Sequence, residues 1–384
     1  MRVDPRGVAA VLLVSAVALG ACTISGSSDP PNPVAVEVVL TDLRNPRGVA
    51  LDSEGGVMVA EAGLGDDAAD VTQRTGRLTR YIDRNGDGDF SDPDESEPWF
   101  QHLASYNAMN VYATGRDEVS GPSDVAVHSD GRVFLSVDGG FDEFALLEIS
   151  PGGSMGRNLS GRSNMTGIAV APDGGSLFVT ESTLNQLIEI SLANGDRREV
   201  VAFAPLQSGQ QAVPAGLAID PLSGDVLVAL FSGAAPTDDG GFVPFVVGDS
   251  KVVRVDPLTG EVANEISGLT TAVDVAIDEL GNVFVVEMSS DYADLFERGT
   301  DLENVGVTPR HGGYVRFSGT VTVYPGDGTR PLTLAGGLDA PTNITLVNDD
   351  ALYVSTGQGT PGRPIPGPDG PTTIIGEVLR ITGF

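Results

Sequence analysis

The sequence predicts an all-β fold, a six-bladed β-propeller with four-stranded blades, and three observations predict it. First, a strand, a tight turn and a second strand recur six times. The copies are NPRGVALDSEGGVMVAEAG from Asn45, GPSDVAVHSDGRVFLSVDGG from Gly121, NMTGIAVAPDGGSLFVTEST from Asn164, VPAGLAIDPLSGDVLVALFSG from Val213, TAVDVAIDELGNVFVVEMSS from Thr271 and APTNITLVNDDALYVSTGQG from Ala340. Each has small or branched apolar residues on both sides of a turn built from Asp, Gly, Asn or Ser, the pattern of a buried hairpin. Second, most hairpins lead into a strand of strong alternation: ALLEIS at Ala145, QLIEIS at Gln186, KVVRVDP at Lys251, YVRFSG at Tyr314 and EVLRIT at Glu377. Fourth strands follow as REVVAF at Arg198, EVANEISGL at Glu261 and RPLTLAGGL at Arg330. Third, the last repeat ends at EVLRITGF without a fourth strand, whereas the folded region opens with VAVEVVLTDL at Val34. Val36 to Leu43 is therefore expected to complete the last blade and close the ring, which pairs otherwise bare sheet edges.

The aligned positions Gly48, Asp124, Gly167, Gly216, Asp274 and Asn343 are unevenly spaced, so loops must absorb the surplus. Insertions are expected at 66–120, 234–249, 289–312 and 359–373, gathered on one face where they build the working surface. The domain plan is residues 1–21 as a signal peptide, 22–33 as a lipidated Cys and tether, and 34–384 as the propeller.

Composition narrows the function. The 384 residues carry 53 acidic and 22 basic side chains, a net charge of −31, and the one lysine is Lys251. Phosphate neutralisation needs clustered cations, so nucleic acid is excluded as a partner. Hydrophobic residues make up 41%, enough for a core despite the charge. The single cysteine excludes a disulfide framework, a thiolate zinc cage and a CxxC motif. Three scattered histidines, His102, His128 and His311, supply no HExxH helix, and no GxSxG elbow occurs.

Cys22 follows Arg2, Arg6 and the small, apolar run from Gly7 to Ala21, a secretory signal by charge and length. Its last residues, LGAC from Leu19, resemble the lipobox of bacterial lipoproteins, which implies cleavage before Cys22 and its lipidation. TISGSSDPPNP from Thr23 suits a solvated tether. The expected location is thus the outer side of a bacterial cell membrane, lipid-anchored and extracytoplasmic, with a monomer expected.

The loop DRNGDGDFSDPDE from Asp83 places oxygen donors at Asp83, Asn85 and Asp87, a turn glycine at Gly88, the Asp89 carbonyl at the seventh position, and Ser91 and Asp94 at the ninth and twelfth. This is calcium-loop spacing, with Asp in place of the usual last Glu and no helical pattern on either side. Calcium is the expected cofactor, ordering a long loop. Carboxylates also end the second strands of repeats one, three and five, at Glu61, Glu181 and Glu287.

The strings LRNPRGVALDSEGGVMVAEAG, VPAGLAIDPLSGDVLVALFSG, LTTAVDVAIDELGNVFVVEMSS and IIGEVLRI, in that order, resemble the ScyD/ScyE family of secreted six-bladed propellers, within a wider NHL and gluconolactonase-like group. The resemblance runs from about residue 38 to 382. It implies the fold, and by its name a tie to pigment biosynthesis, so a role in a secondary-metabolite pathway is one expectation. Gluconolactonase-like propellers hold a divalent ion in the channel with a Glu, Asn and Asp set. That likeness implies a candidate second metal site from Asp124, Glu181, Asp274, Glu287 and Asn343, although the family's EGP and NG signatures have no clear match here. Three functions follow: a calcium-stabilised, membrane-anchored module binding a protein or small molecule; a metal-dependent lactonase or other hydrolase; or a pathway protein.

Overall fold

The computed structural model describes residues 33–109, 115–140, 143–160, 163–233, 245–297, 300–302, 310–366 and 371–384. The expected signal peptide, Cys22 and most of the tether lie outside them, as do parts of the expected insertions at 66–120, 234–249, 289–312 and 359–373. Six four-stranded antiparallel sheets form the blades. Blade 1 comprises Pro46–Leu51, Val57–Glu61, Gly76–Tyr81 and Ser96–Leu103. Blade 2 comprises Pro122–Val127, Val133–Asp138, Phe144–Ile149 and Met155–Asn158. Blade 3 comprises Met165–Val170, Ser176–Glu181, Gln186–Ser191 and Arg197–Ala202. Blade 4 comprises Pro214–Ile219, Val226–Leu230, Ser250–Val255 and Val262–Leu269. Blade 5 comprises Ala272–Ile277, Val283–Glu287, Gly319–Tyr324 and Leu332–Leu338. Blade 6 comprises Asn343–Val347, Ala351–Thr356 and Gly376–Thr382, with Ala35–Leu43 as its outer strand. The closing strand pairs Val36 with Ile381 and Val38 with Leu379, and Glu37 meets Arg380 at 2.6 Å.

The inner hairpins follow from their turns. In blade 4, Asp220 Oδ1 accepts the Leu222 N–H at 2.8 Å, and Gly224 takes the left-handed conformation at φ 79° that the reversal requires. The apolar faces of neighbouring sheets then pack together. Phe134 packs with Ile168 and Val179 between blades 2 and 3, and Phe284 with Leu352 and Val354 between blades 5 and 6. Val57 and Val59 pack with Tyr353 and Val378 across the closure between blades 1 and 6. Burial between sheets holds the ring, since no blade covers its own faces.

Two expectations are corrected. YVRFSG at Tyr314 is not the third strand of blade 5; that strand is Gly319–Tyr324. Gly312, Gly313 and Phe317 all have positive φ, which breaks the extended run, and Tyr314 and Arg316 are buried within a loop layer instead. The stretch 66–120 is only partly an insertion, because Gly76–Tyr81 and Ser96–Leu103 are the outer strands of blade 1. Their Arg77, Arg80 and Trp99 put charge and bulk into the two strands, which hides the alternation.

Antiparallel succession sorts the connections by face. Turns between first and second strands, and between third and fourth strands, share one face. Connections from second to third strands, and from each blade to the next, share the other. The connections that leave Glu61, Leu103, Leu230, Glu287 and Thr356 therefore begin on the second face, while the loop 83–95 belongs to the first.

Candidate functional site

The first strand of each blade lies nearest the axis, where space is tightest. Three of the six aligned positions are glycine, and the other three carry residues that reach across. A Cβ on Gly48 would lie 2.6 Å from Asp124 Cα, and one on Gly216 would strike the Asp274 carboxylate. Asp124 Oδ2 accepts the Ile168 N–H at 2.8 Å, Asp274 Oδ2 accepts the Ile344 N–H at 2.9 Å, and Asn343 Oδ1 accepts the Val49 N–H at 2.9 Å. Each bond runs from one blade to the inner strand of the next. The other carboxylate oxygens accept the following N–H, from Val125 at 2.9 Å and from Val275 at 2.8 Å. Asn343 Nδ2 donates to Asp274 Oδ2 at 2.7 Å and Asp124 Oδ1 at 3.3 Å, linking the two acids. Burial pushes the Asp124 carboxyl up to about 7. Burial, and then the neighbouring Asp124 charge, raises Asp274 well above the usual range.

This arrangement does not fit a divalent ion. Asp124, Asp274 and Asn343 are together, around a cavity of only about 40 Å³, and their oxygens already accept backbone N–H groups. Glu181 and Glu287 do not join them. Glu181 contacts Gln186 and lies 3.7 Å from Arg197, while Glu287 accepts the Thr270 N–H at 2.7 Å. Glu61 repeats the latter role, accepting the Arg44 N–H at 2.8 Å and pairing with Arg77. Both Glu61 and Glu287 hold the chain as it enters a blade. Among the described residues, no group of three His, Cys, Asp or Glu side chains is placed to hold a metal ion.

The loop 83–95 joins the two outer strands of blade 1, on the face remote from the long loops. Asp83 accepts the N–H of Gly86 at 2.6 Å and Gly88 at 3.1 Å; Asn85, Asp87 and Asp89 each accept the N–H two residues on. Ser91 Oγ donates to the Val39 carbonyl at 3.5 Å, and the Asp94 carbonyl accepts a bond from Arg84. Buried Glu95, outside the expected ligand set, accepts the Arg84 N–H at 2.8 Å. Phe90 packs against Tyr353 and sews the loop to the closing strand.

Immediately before the aligned ring, Arg47, Ser123, Thr166, Ala215, Val273 and Thr342 form a second ring, all lining the channel. It contains one cation and no carboxylate. Above it the loop-rich face opens into a cavity of about 420 Å³, bordered by Arg47, Arg116, Glu118, Asp138, Asn164 and Gln211, with Phe231 and Met288 on the apolar side. Buried Asp138 is fixed by Tyr106 Oη at 2.8 Å, Asn164 Nδ2 at 3.1 Å and the Gly140 N–H at 3.0 Å, and its burial raises its pKa. Asn164 Oδ1 is buried without a partner. Arg47 Nη1 donates to the Val119 carbonyl at 3.3 Å, and no carboxylate of the described residues forms an ion pair with it.

The wall beside this mouth is locked by a fully buried pair, Asp117 and Arg363, at 2.6 Å, joining the connection between blades 1 and 2 to a loop of blade 6. Buried His311 lies against Gly359, and desolvation, then Arg316, lowers its pKa to about 3. Sequence reasoning missed Arg47, Asp138, Asn164 and this clamp. For Arg47 a signal existed: it stands one position before an aligned repeat residue, where the other five repeats carry no charge.

With this geometry, the class is a six-bladed propeller with a polar mouth on its loop face. Residues 99–277, from the last strand of blade 1 to the first strand of blade 5, match the family described as SMP-30/Gluconolactonase/LRE-like region. None of the curated proteins matches the chain. Among solved structures, a luciferin-regenerating enzyme is similar at 12% identity, with a TM-score of 0.52, over 91% of this chain and 96% of that one. A PQQ-bound aldose sugar dehydrogenase from Streptomyces coelicolor is similar at 16% identity, with a TM-score of 0.51, over 92% and 99%. At these identities the likeness is one of fold.

Proposed function

We propose that the protein is a small-molecule-binding propeller whose ligand sits in the loop-face mouth, and that the domain is tethered to the outer side of a membrane through Cys22. One observation carries the binding reading. Polar side chains from four blades converge on one cavity, and two of them, Arg47 and Asn164, keep binding capacity that the fold does not use. The carboxylates below are engaged in holding blades together.

A thermal-shift screen of small polar metabolites tests this. Binders should lose their shift in Asn164→Leu, measured against that variant's own unliganded melting temperature; a screen without any binder in millimolar range would overturn the reading. The tether is tested by Cys22→Ser, which should move the protein from the membrane fraction to the soluble one.

The match to a gluconolactonase-like region favours a second reading, lactone hydrolysis. It is tested by following glucono-δ-lactone in metal-stripped buffer with and without added divalent cation. Metal-dependent turnover lost in Asp274→Asn would favour the lactonase. The resemblance to ScyD/ScyE leaves a secondary-metabolite ligand compatible with either reading. Calcium at Asp83, Asn85 and Asp87 is proposed to stiffen the loop 83–95 alone, so calcium should raise the melting temperature in wild type and not in Asp83→Ala.

A further inference from the structure

We propose that the mouth selects a small carboxylate bearing neighbouring hydroxyl groups, and that Arg47 receives its carboxylate without a metal. The inference rests on the ligand-binding reading above and adds the chemical class.

Arg47 differs from the paired arginines elsewhere in the blades. Arg77 is paired with Glu61, Arg80 with Asp52 and Glu54, Arg132 with Asp130 and Glu148, Arg254 with Asp220 and Glu265, and Arg380 with Glu37. In a chain of net charge −31, acidic partners are abundant. Arg47 nevertheless sits half-buried at the bottom of the mouth with one long bond to a carbonyl. Asp124 and Asp138 act on Arg47 only through space and neither forms an ion pair with it, and a bound carboxylate supplies a direct partner through the planar fork of N–H donors.

The surroundings favour an anion despite the protein's overall charge. Glu118 and Asp138 share the cavity and oppose one, while Arg116 offsets them. Asp124 and Asp274 lie beneath Arg47 with their oxygens turned to the Ile168 and Ile344 N–H groups of the neighbouring blades. Ser123 stands in the same ring as Arg47, and Asn164 and Gln211 stand above it, a set suited to ligand hydroxyls.

The test is calorimetry with glucuronate and with glucose, its neutral counterpart, in metal-stripped buffer at pH 7.5. Glucuronate should bind at least about tenfold more tightly, a difference of about 1.4 kcal/mol, and should weaken as salt rises. Arg47→Gln should abolish that preference, leaving glucose unchanged, and Arg47→Lys should keep part of it. Circular dichroism of each variant checks that the ring still folds. Equal affinity for the two sugars, an unchanged glucuronate affinity in Arg47→Gln, a requirement for divalent metal, or no binding of glucuronate would each overturn the proposal. If neutral compounds still bind in a way that Asn164→Leu removes, the binding reading survives and only the anionic class fails.

Discussion

Two neighbouring rings of residues, one position apart in every repeat, do opposite work. In the lower ring, Gly48, Asp124, Gly167, Gly216, Asp274 and Asn343 leave little unused: the glycines admit the next blade and the polar side chains tie to its backbone. In the upper ring, Thr166 and Thr342 still tie to the next blade's carbonyls, but Arg47 makes one long bond and opens onto the mouth. The difference teaches that a carboxylate near a propeller axis is not by itself a metal ligand. A polar group whose lone pairs are already engaged by backbone amides holds the fold, and a polar group left unengaged at the rim is available to a ligand.

The largest expected effect breaks the wall that shapes the upper ring. Arg363→Ala leaves Asp117 charged and buried, and should destabilise by about 3–5 kcal/mol, read by chemical denaturation. Next is the lower ring: Gly216→Ala drives a methyl into the Asp274 carboxylate and should cost about 3 kcal/mol. Asp274→Ala leaves the Ile344 N–H without its acceptor and should cost about 2 kcal/mol.

The pH dependence sharpens the contrast further. Because the folded Asp124 pKa is raised from 3.8 to about 7, its contribution to stability is complete below about pH 4 and is lost as pH rises through 7. Denaturation midpoints should therefore fall between pH 5 and pH 8, and Asp124→Asn should flatten that slope. The smallest effect belongs to the upper ring: Arg47→Gln should change stability by less than about 0.5 kcal/mol.

The blades were legible because burial between sheets imposes a repeat, and a repeat survives variation at single positions. VFVVEMSS and LYVSTGQG announce inner strands whatever their other residues do. Tyr314 to Gly319 misled because Tyr-Val-Arg-Phe alternates in composition while Gly312, Gly313 and Phe317 bend the chain. The channel residues were also legible as a set, since Asp124, Asp274 and Asn343 share one repeat position. Their engagement was not, because it depends on which amide of the next blade lies within reach. The Asp117–Arg363 clamp left no trace at all: both residues lie in loops outside the repeat, far apart in sequence, and only ring closure brings them together.

The most direct measurement is a crystal structure of the protein grown with both glucuronate and a divalent cation. We expect the carboxylate on the Arg47 guanidinium, with Asp124 and Asp274 still accepting the Ile168 and Ile344 N–H groups. A metal ion coordinated by Asp124 and Asp274, with those two bonds broken, would contradict the assignment of the lower ring to structure and the upper ring to binding.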